Sequence, residues 1–132
     1  MDIDVRVGMT ITNIDDRVSR MTEPGAPLPR DRLKALKGLV DAGIDCYVLI
    51  APVMSSLEGR ERRLLEAVAE TGARSVFSDP LNLSNVDPSR LERMGIRSSP
   101  LARLRIGEIG RELGLDVSES FENRLPDIWP SS

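Results

Sequence analysis

Hydroxyl and amide side chains follow the first predicted strand of this sequence. Apolar residues alternate in the pattern V-x-V-x-M-x-I over residues 5–11, which predicts a β-strand. Thr10, Thr12 and Asn13 stand at the end of this pattern. In parallel α/β folds ligands bind where strands end, so these three side chains are candidates for binding a ligand.

An acidic pair, Asp15 and Asp16, comes next and has two interpretations. The pair can hold a metal ion, or it can mark a helix start or a solvated turn. We favour the second interpretation, because bound Mg²⁺ or Ca²⁺ needs further carboxylates at suitable spacing and acidic side chains are stabilised at helix N-termini.

The chain lacks the usual catalytic and metal-ligating residues. It has no His and one Cys, which removes the common general base near neutral pH and any disulfide or multi-thiolate site formed by this chain alone. Cys46 lies in an apolar run, where a small buried hydrophobe is the favoured interpretation. The sequence contains no nucleophile–base pair and no phosphate loop, so we predict no catalytic and no metal-binding residue.

Two further strands are predicted, and polar or apolar candidates follow each. The apolar run from 44 to 53 predicts a strand buried on both faces, which ends at Ala51, Pro52 and Val53. Residues 74–78 predict a third, short strand. Asp79 and Asn82 follow it as the remaining polar candidates for ligand contact.

Helices alternate with these strands. Helical patterns predict helices over residues 29–42 and 57–70, and Asp87-Pro88 and Ser99-Pro100 each supply an N-cap followed by Pro in the first turn of a further helix. Gly107 and Gly110 each cost the last helix about 1 kcal/mol relative to Ala, so we expect close packing against a neighbour at both. The residues after 115, with Phe121 and Trp129, are expected to form an irregular segment docked by its aromatic side chains.

The order of elements predicts the α/β class, with three parallel strands, alternating helices and additional C-terminal helices. We assign residues 1–115 to one domain and 116–132 to a C-terminal tail. Helices joined by crossovers of one hand cover a single face of such a sheet, whereas the second strand is predicted to be buried on both. We therefore expect a missing part of a barrel, a second copy of the chain, or the C-terminal segments to cover the other face.

Composition and charge exclude several classes of protein. The net charge is −3 and no long apolar run or leader pattern is found, which predicts a cytoplasmic protein without a membrane segment. The basic residues are interleaved with acidic ones, as in R-E-R-R over 60–63. A nucleic-acid surface needs basic residues clustered on one face, so we expect none.

Four segments together resemble the second half of radical S-adenosylmethionine enzymes of the spore photoproduct lyase-like group. They are, in order, V-x-V-x-x-T-I-T-N-I-D over 5–15, E-P-G-A-P over 23–27, R-L-x-A-L-x-x-L-x-x-A-G-I over 32–44, and A-P-V over 51–53. The resemblance covers about residues 5 to 80. It implies a partial, half TIM-type (β/α) barrel.

The resemblance also implies a cofactor and its contacts. Members of this group bind a [4Fe-4S] cluster through three Cys, and the cluster cleaves S-adenosylmethionine to a radical; that Cys motif is absent here. What carries over is the nucleoside side of S-adenosylmethionine, for which the resemblance implies Thr10 and Thr12 near the ribose and residues 51–53 and 78–81 near the adenine. The implied binding residues, with Asn13 added as a strand-end candidate, are Thr10, Thr12, Asn13, Ala51, Pro52, Val53, Asp79 and Leu81.

Two functional hypotheses remain from the sequence. In the first, the chain is the carboxyl-terminal part of such a radical protein, is not catalytic alone, and depends on an amino-terminal half-barrel or a partner for the cluster. In the second, it is a degenerate half-barrel that forms a homodimer and binds a small molecule or a protein. An autonomous lyase is disfavoured, because two helical Lys and no His leave few residues for acid–base or Schiff-base chemistry.

Overall fold

The computed structural model describes residues 6–79 and 87–119. Nine elements lie in these two ranges in an α/β arrangement. In chain order they are β1 (Arg6–Thr10), α1 (Asp16–Thr22), α2 (Pro29–Asp41), β2 (Asp45–Ile50), α3 (Glu61–Glu70), β3 (Ser75–Ser78), α4 (Pro88–Arg93), α5 (Pro100–Glu112) and β4 (Asp116–Ser118). A short 3-10 turn, Ser55–Leu57, precedes α3.

The strands form one sheet of four strands in the order β1-β2-β3-β4, and every neighbouring pair is parallel. The α/β class with alternating helices is therefore confirmed, but the expected number of three strands is wrong. The additional strand is β4, and it occupies the first residues of the segment predicted to be irregular. Phe121 and Trp129, on which that prediction rested, lie outside the described residues.

The core lies on one face of the sheet. Cys46, Val48 and Ile50 of β2 are buried and belong to one apolar cluster, whose members from the helices include Leu36 of α2 and Leu64 of α3. Ala102 and Ile106 extend the same cluster onto α5. Side chains alternate between the two faces of a sheet along each strand, so Cys46, Val48 and Ile50 lie on the same face. Since their cluster includes residues of α2, α3 and α5, these helices pack against this face, which we call the helical face.

The opposite face is formed by the alternate residues of each strand. Tyr47 and Leu49 of β2 are half-buried there, so the prediction that β2 is buried on both faces is wrong for this side. The ring of Tyr47 meets that of Phe77 edge to face at 5.4 Å, and the guanidinium of Arg6 lies 5.2 Å from the centre of the Tyr47 ring. This arrangement is an aromatic and cation–π stack, which explains how β2 tolerates the half-buried Tyr47 away from the helices.

The N-termini of α4 and α5 follow the predicted cap chemistry. The side chain of Asp87 accepts a hydrogen bond from the backbone N–H of Ser89, and the Ser99 hydroxyl accepts one from Ala102. Each helix has Pro in its first turn. These predictions are confirmed, since the cap side chains satisfy N–H groups that have no partner inside the helix.

Gly110 and Gly107 differ in their surroundings. A Cβ at Gly110 would lie 2.3 Å from Cγ2 of Val117 on β4, whereas no atom of the described residues lies within 4 Å of a Cβ at Gly107. The expected close packing is confirmed at Gly110 and wrong at Gly107.

The helices of the described ranges are all too short or too polar to cross a membrane.

Candidate functional site

The carboxyl ends of the four parallel strands lie at the same edge of the sheet, and most of the predicted binding residues follow them. Hydrogen bonds between backbone groups join the segments at this edge. The N–H of Ile11 donates to the carbonyl of Leu49 at 3.0 Å, and the N–H of Asp79 donates to that of Ile50 at 3.1 Å. The N–H of Val53 donates to the carbonyl of Asp79 at 3.2 Å. The structure thus brings the segments after β1, β2 and β3 together.

Thr10 and Thr12 supply two hydroxyl groups at this edge. The strand register aligns Thr10 with Leu49 and Phe77, so its side chain lies on the face opposite the helices. Thr10 is half-buried and Thr12 is buried. Within the described ranges neither hydroxyl makes a hydrogen bond. Thr12 is 4% exposed, so the hydroxyl of Thr10 is the more accessible of the two to a ligand.

Asn13 uses its amide inside the protein. Its Oδ1 accepts the backbone N–H groups of Ile14 and Asp15 at 2.9 and 2.8 Å, and its Nδ2 donates to the carbonyl of Ser56 at 3.1 Å. The residue is 1% exposed. These bonds leave one amide hydrogen for any ligand, so the geometry gives Asn13 the role of holding the turn after β1 against the turn after β2.

Asp15 caps α1, as the favoured interpretation of the acidic pair predicted. Its Oδ1 accepts the backbone N–H groups of Arg17 and Val18, and its Oδ2 lies 3.5 Å from Nη2 of Arg60. The N–H of Val18, with that of Arg17 and the charge of Arg60, lowers the pKa of the Asp15 carboxyl. A carboxylate that is bonded in this way stabilises the helix start and is a poor candidate for a metal ligand.

Residues 51–53 form an apolar wall behind the edge. Ala51 and Val53 are at most 1% exposed, and the Ala51–Pro52 peptide is cis. The carbonyl of Val53 accepts the N–H of Ser99 at 3.0 Å, so both backbone polar groups of Val53 are used within the protein. The segment therefore offers apolar atoms to its surroundings and few hydrogen-bonding groups.

Ser78 ends β3 on the face opposite that of Thr10, and Asp79 follows it. Ser78 pairs with Ile50 and lies on the helical face, fully buried. Its Oγ has no hydrogen-bond partner among the described residues. Asp79 is 7% exposed. Leu81 and Asn82, which the sequence placed next to them, lie outside the described residues.

Arg32 is the residue at this edge whose importance the sequence analysis underestimated. It forms an ion pair with Glu23, in which Nη2 of Arg32 lies 3.6 Å from Oε1 of Glu23. The same guanidinium also donates from Nη1 to the carbonyl of Thr10 at 2.6 Å and from Nε to the carbonyl of Pro27 at 3.2 Å. One half-buried side chain thus links the end of β1, the end of α1 and the proline-rich loop, because a guanidinium presents several donors in a fixed plane.

The described residues do not fit an iron–sulfur cluster. Cys46, the sole Cys of the sequence, is 4% exposed, and its thiol donates to the carbonyl of Ile44. Burial, together with the charge of Asp45, raises the pKa of the Cys46 thiol, whereas a cluster ligand must be a thiolate. Among residues 6–79 and 87–119 no three acidic, His or Cys side chains are grouped to hold a metal ion.

The resemblance implies that the nucleoside part of S-adenosylmethionine is the ligand of this edge. A ribose offers a diol and an adenine offers a flat apolar face with polar edges. The free hydroxyls of Thr10 and Thr12 match the first in chemistry, and the apolar segment 51–53 matches the second.

Comparison with known proteins finds similarity to longer, uncharacterised proteins. An uncharacterised protein of Mycobacterium tuberculosis and one of Mycobacterium bovis are each 32% identical over 84 residues, which are 61% of this chain and 25% of the relative. An uncharacterised protein of Methanocaldococcus jannaschii is 36% identical over 53 residues, or 40% of this chain and 20% of the relative. No family model and no solved structure matches the chain. The matched part of the chain spans about a quarter or less of the length of these relatives.

Proposed function

We propose that this chain is the carboxyl-terminal part of a radical S-adenosylmethionine protein of the spore photoproduct lyase-like group, and that it provides scaffold and nucleoside-side contacts. The observation that carries the proposal is the meeting of the segments after β1, β2 and β3 at one edge of a parallel sheet, with the Thr10 and Thr12 hydroxyls unbonded there. The sequence resemblance also supports the proposal, because it implies that the same segments contact the nucleoside.

Strand order and length are compatible with a partial (β/α) barrel. Four parallel strands in sequential order, with α2, α3 and α5 on one face, are what a segment of such a barrel contains. The chain matches about a quarter of the length of its mycobacterial relatives, so a longer protein has room for the remaining strands. Under the proposal, an amino-terminal half-barrel or a separate partner binds the cluster.

The proposal assigns no catalytic step to this chain. Its Cys46 is buried with a raised thiol pKa, and no metal-binding group is found in the described ranges. The contributions of this part are to orient the ribose through Thr10 and Thr12 and to exclude water from the base through residues 51–53.

Ligand titration by calorimetry tests the proposal. S-adenosylhomocysteine is titrated first, followed by 5′-methylthioadenosine, which has the nucleoside but no amino-acid end. We expect saturable binding of both, weakened about fivefold by Thr10→Val because a neutral hydrogen bond contributes about 1 kcal/mol. Thr10→Ser keeps the hydroxyl and is expected to retain binding. A folded sample that binds neither ligand at millimolar concentration would refute the nucleoside site in the isolated chain.

A second candidate function, a self-associating half-barrel that binds a small molecule or protein, is favoured by a different observation. Within the described ranges β1 and β4 each pair with a single neighbouring strand, and Leu101 and Leu104 on α5 are exposed by 47% and 57%. Open sheet edges and exposed apolar side chains are features that association covers. Light scattering distinguishes the two: a mass of twice 14.6 kDa supports the dimer, and a concentration-independent monomer argues against it.

A further inference from the structure

A cleft of about 400 Å³ lies between the proline-rich loop after α1 and the start of α4. Its walls carry both signs of charge, from Glu23 and Arg32 on one side and Asp87 and Arg90 on the other, and apolar surface from Pro24 and Ala26. This volume is within the range of small-molecule sites, about 300–1,000 Å³.

One of the two pairs of charges is already compensated. Arg32 and Glu23 form an ion pair with side chains that are 18% and 14% exposed, and the other donors of Arg32 bind the carbonyls of Thr10 and Pro27. This side of the cleft is therefore a rigid wall with no free charge.

The other pair is not compensated. Asp87 uses Oδ1 to accept the N–H of Ser89 at 3.0 Å, and its second carboxylate oxygen makes no hydrogen bond to a described residue. Arg90 is exposed, and within the described ranges its guanidinium forms neither a hydrogen bond nor an ion pair, not even with Asp87. The cleft thus contains one carboxylate oxygen and one guanidinium that are available to a ligand.

We propose that this cleft binds the zwitterion of a free α-amino acid, with Arg90 holding the carboxylate and Asp87 the ammonium. A simple anion bound to Arg90 would leave the carboxylate of Asp87 uncompensated, and a simple cation bound to Asp87 would leave the guanidinium of Arg90 uncompensated. A zwitterion compensates both free charges, and guanidinium binds carboxylate in a planar, two-bond geometry. Pro24 and Ala26 provide the apolar surface against which an aliphatic side chain packs. The proposal stands independently of the nucleoside site.

The test uses L-leucine and two analogues that each lack one charge, L-leucinamide and 4-methylpentanoate. Each is titrated into isotopically labelled protein, and the backbone amide shifts of Ala26, Arg32 and Arg90 are followed by NMR. We expect saturable shifts at these amides with leucine, and binding of either analogue about tenfold weaker or more, because each has lost a charged hydrogen bond.

Two variants and a control complete the experiment. Arg90→Gln and Asp87→Asn are each expected to weaken leucine binding about tenfold, and Asn retains the capping oxygen at position 87, so that helix α4 is preserved. Arg93→Gln removes an exposed charge from the same helix outside the cleft and is expected to leave binding unchanged. The proposal is overturned if leucine gives no saturable shifts at tens of millimolar, if leucine and 4-methylpentanoate bind equally, or if Arg90→Gln and Arg93→Gln behave alike in samples with wild-type circular dichroism.

Discussion

Gly110 and Gly107 lie on the same helix, α5, and the structure predicts opposite results for the same substitution. At Gly110 a new Cβ would lie 2.3 Å from Cγ2 and 3.5 Å from Cβ of Val117. Val117 has a β-branched side chain on a strand, and its restricted rotamers prevent it from moving away from the new Cβ. The helix and β4 would have to separate.

The magnitudes follow from two opposing terms. Ala is favoured over Gly in a helix by about 1 kcal/mol, and overpacking costs about 1–3 kcal/mol. Gly107→Ala, which meets no described atom within 4 Å, should therefore raise the free energy of unfolding by about 1 kcal/mol. Gly110→Ala should lower it by about 0–2 kcal/mol.

Urea denaturation of both variants, and of Gly110→Ala combined with Val117→Ala, measures these terms. Val117→Ala alone removes two half-buried methyl groups and should cost about 1–2 kcal/mol. In that background Gly110→Ala should become stabilising, which gives a coupling energy of about 1–3 kcal/mol between the two positions. If Gly110→Ala is as stabilising as Gly107→Ala in the wild-type background, the packing of α5 on β4 described above is incorrect.

Four further substitutions test other contacts. Asp15→Asn keeps the helix cap but removes the charge. Since the pKa of Asp15 is lower in the folded state, the wild-type protein should be the more stable in urea above about pH 4, and this advantage should fall away as the pH drops through the folded-state pKa. A difference in stability that does not depend on pH would contradict this. Ser78→Ala removes a buried hydroxyl without a described partner and should raise the free energy of unfolding by about 0.5–1.5 kcal/mol. Ser99→Ala removes a helix cap and should lower the free energy of unfolding by about 1 kcal/mol. Equal losses of stability in the two variants would show that the Ser78 hydroxyl is hydrogen-bonded. Arg32→Lys keeps the charge, but the Lys ammonium cannot reach all three acceptors. The variant should lower the free energy of unfolding by about 1–3 kcal/mol and speed hydrogen exchange at residues 11–13. Stability and hydrogen exchange equal to those of the wild type would refute the linking role of Arg32.

Local chemistry explains which elements the sequence predicted. Asp87-Pro88 and Ser99-Pro100 combine a cap side chain with a residue that has no N–H to satisfy, so the start of each helix is determined by neighbouring residues. The buried strand β2 was predicted for a similar reason, because its apolar run is long. Such features need no information from distant parts of the chain.

β4 and the outer face of β2 were not predicted, because both depend on distant contacts. Asp116–Ser118 is three residues long and has polar ends, and it becomes a strand through pairing with β3 and packing of Val117 on α5. The apolar run of β2 indicated burial on both faces, but the stack of Arg6 on Tyr47 shows that partial burial is sufficient. Neither β3, which pairs with β4, nor Arg6, which stacks on Tyr47 of β2, is adjacent to that strand in the sequence.

The sequence predicted that the candidate residues lie at one edge of the sheet, but it did not predict which of their polar groups form hydrogen bonds within the protein. The sequence placed polar residues at strand ends, and parallel pairing brings those ends to one edge. It could not show that Asn13 bonds to Ser56, 43 positions away, or that Arg32 reaches back to the carbonyl of Thr10. These bonds decide which groups are left for a ligand.

The free groups at this edge limit what any ligand can gain there. Asn13 and the backbone of Val53 are committed to internal hydrogen bonds, and the hydroxyls of Thr10 and Thr12 are left. At about 1 kcal/mol for each neutral hydrogen bond, two hydroxyls account for roughly thirtyfold in affinity. Tight binding of a nucleoside would therefore require contacts from outside the described residues, from a longer chain or a partner. A weak affinity in the isolated chain that depends on Thr10 is thus the result that fits the proposal, and a tight affinity that is insensitive to Thr10 would place the site elsewhere.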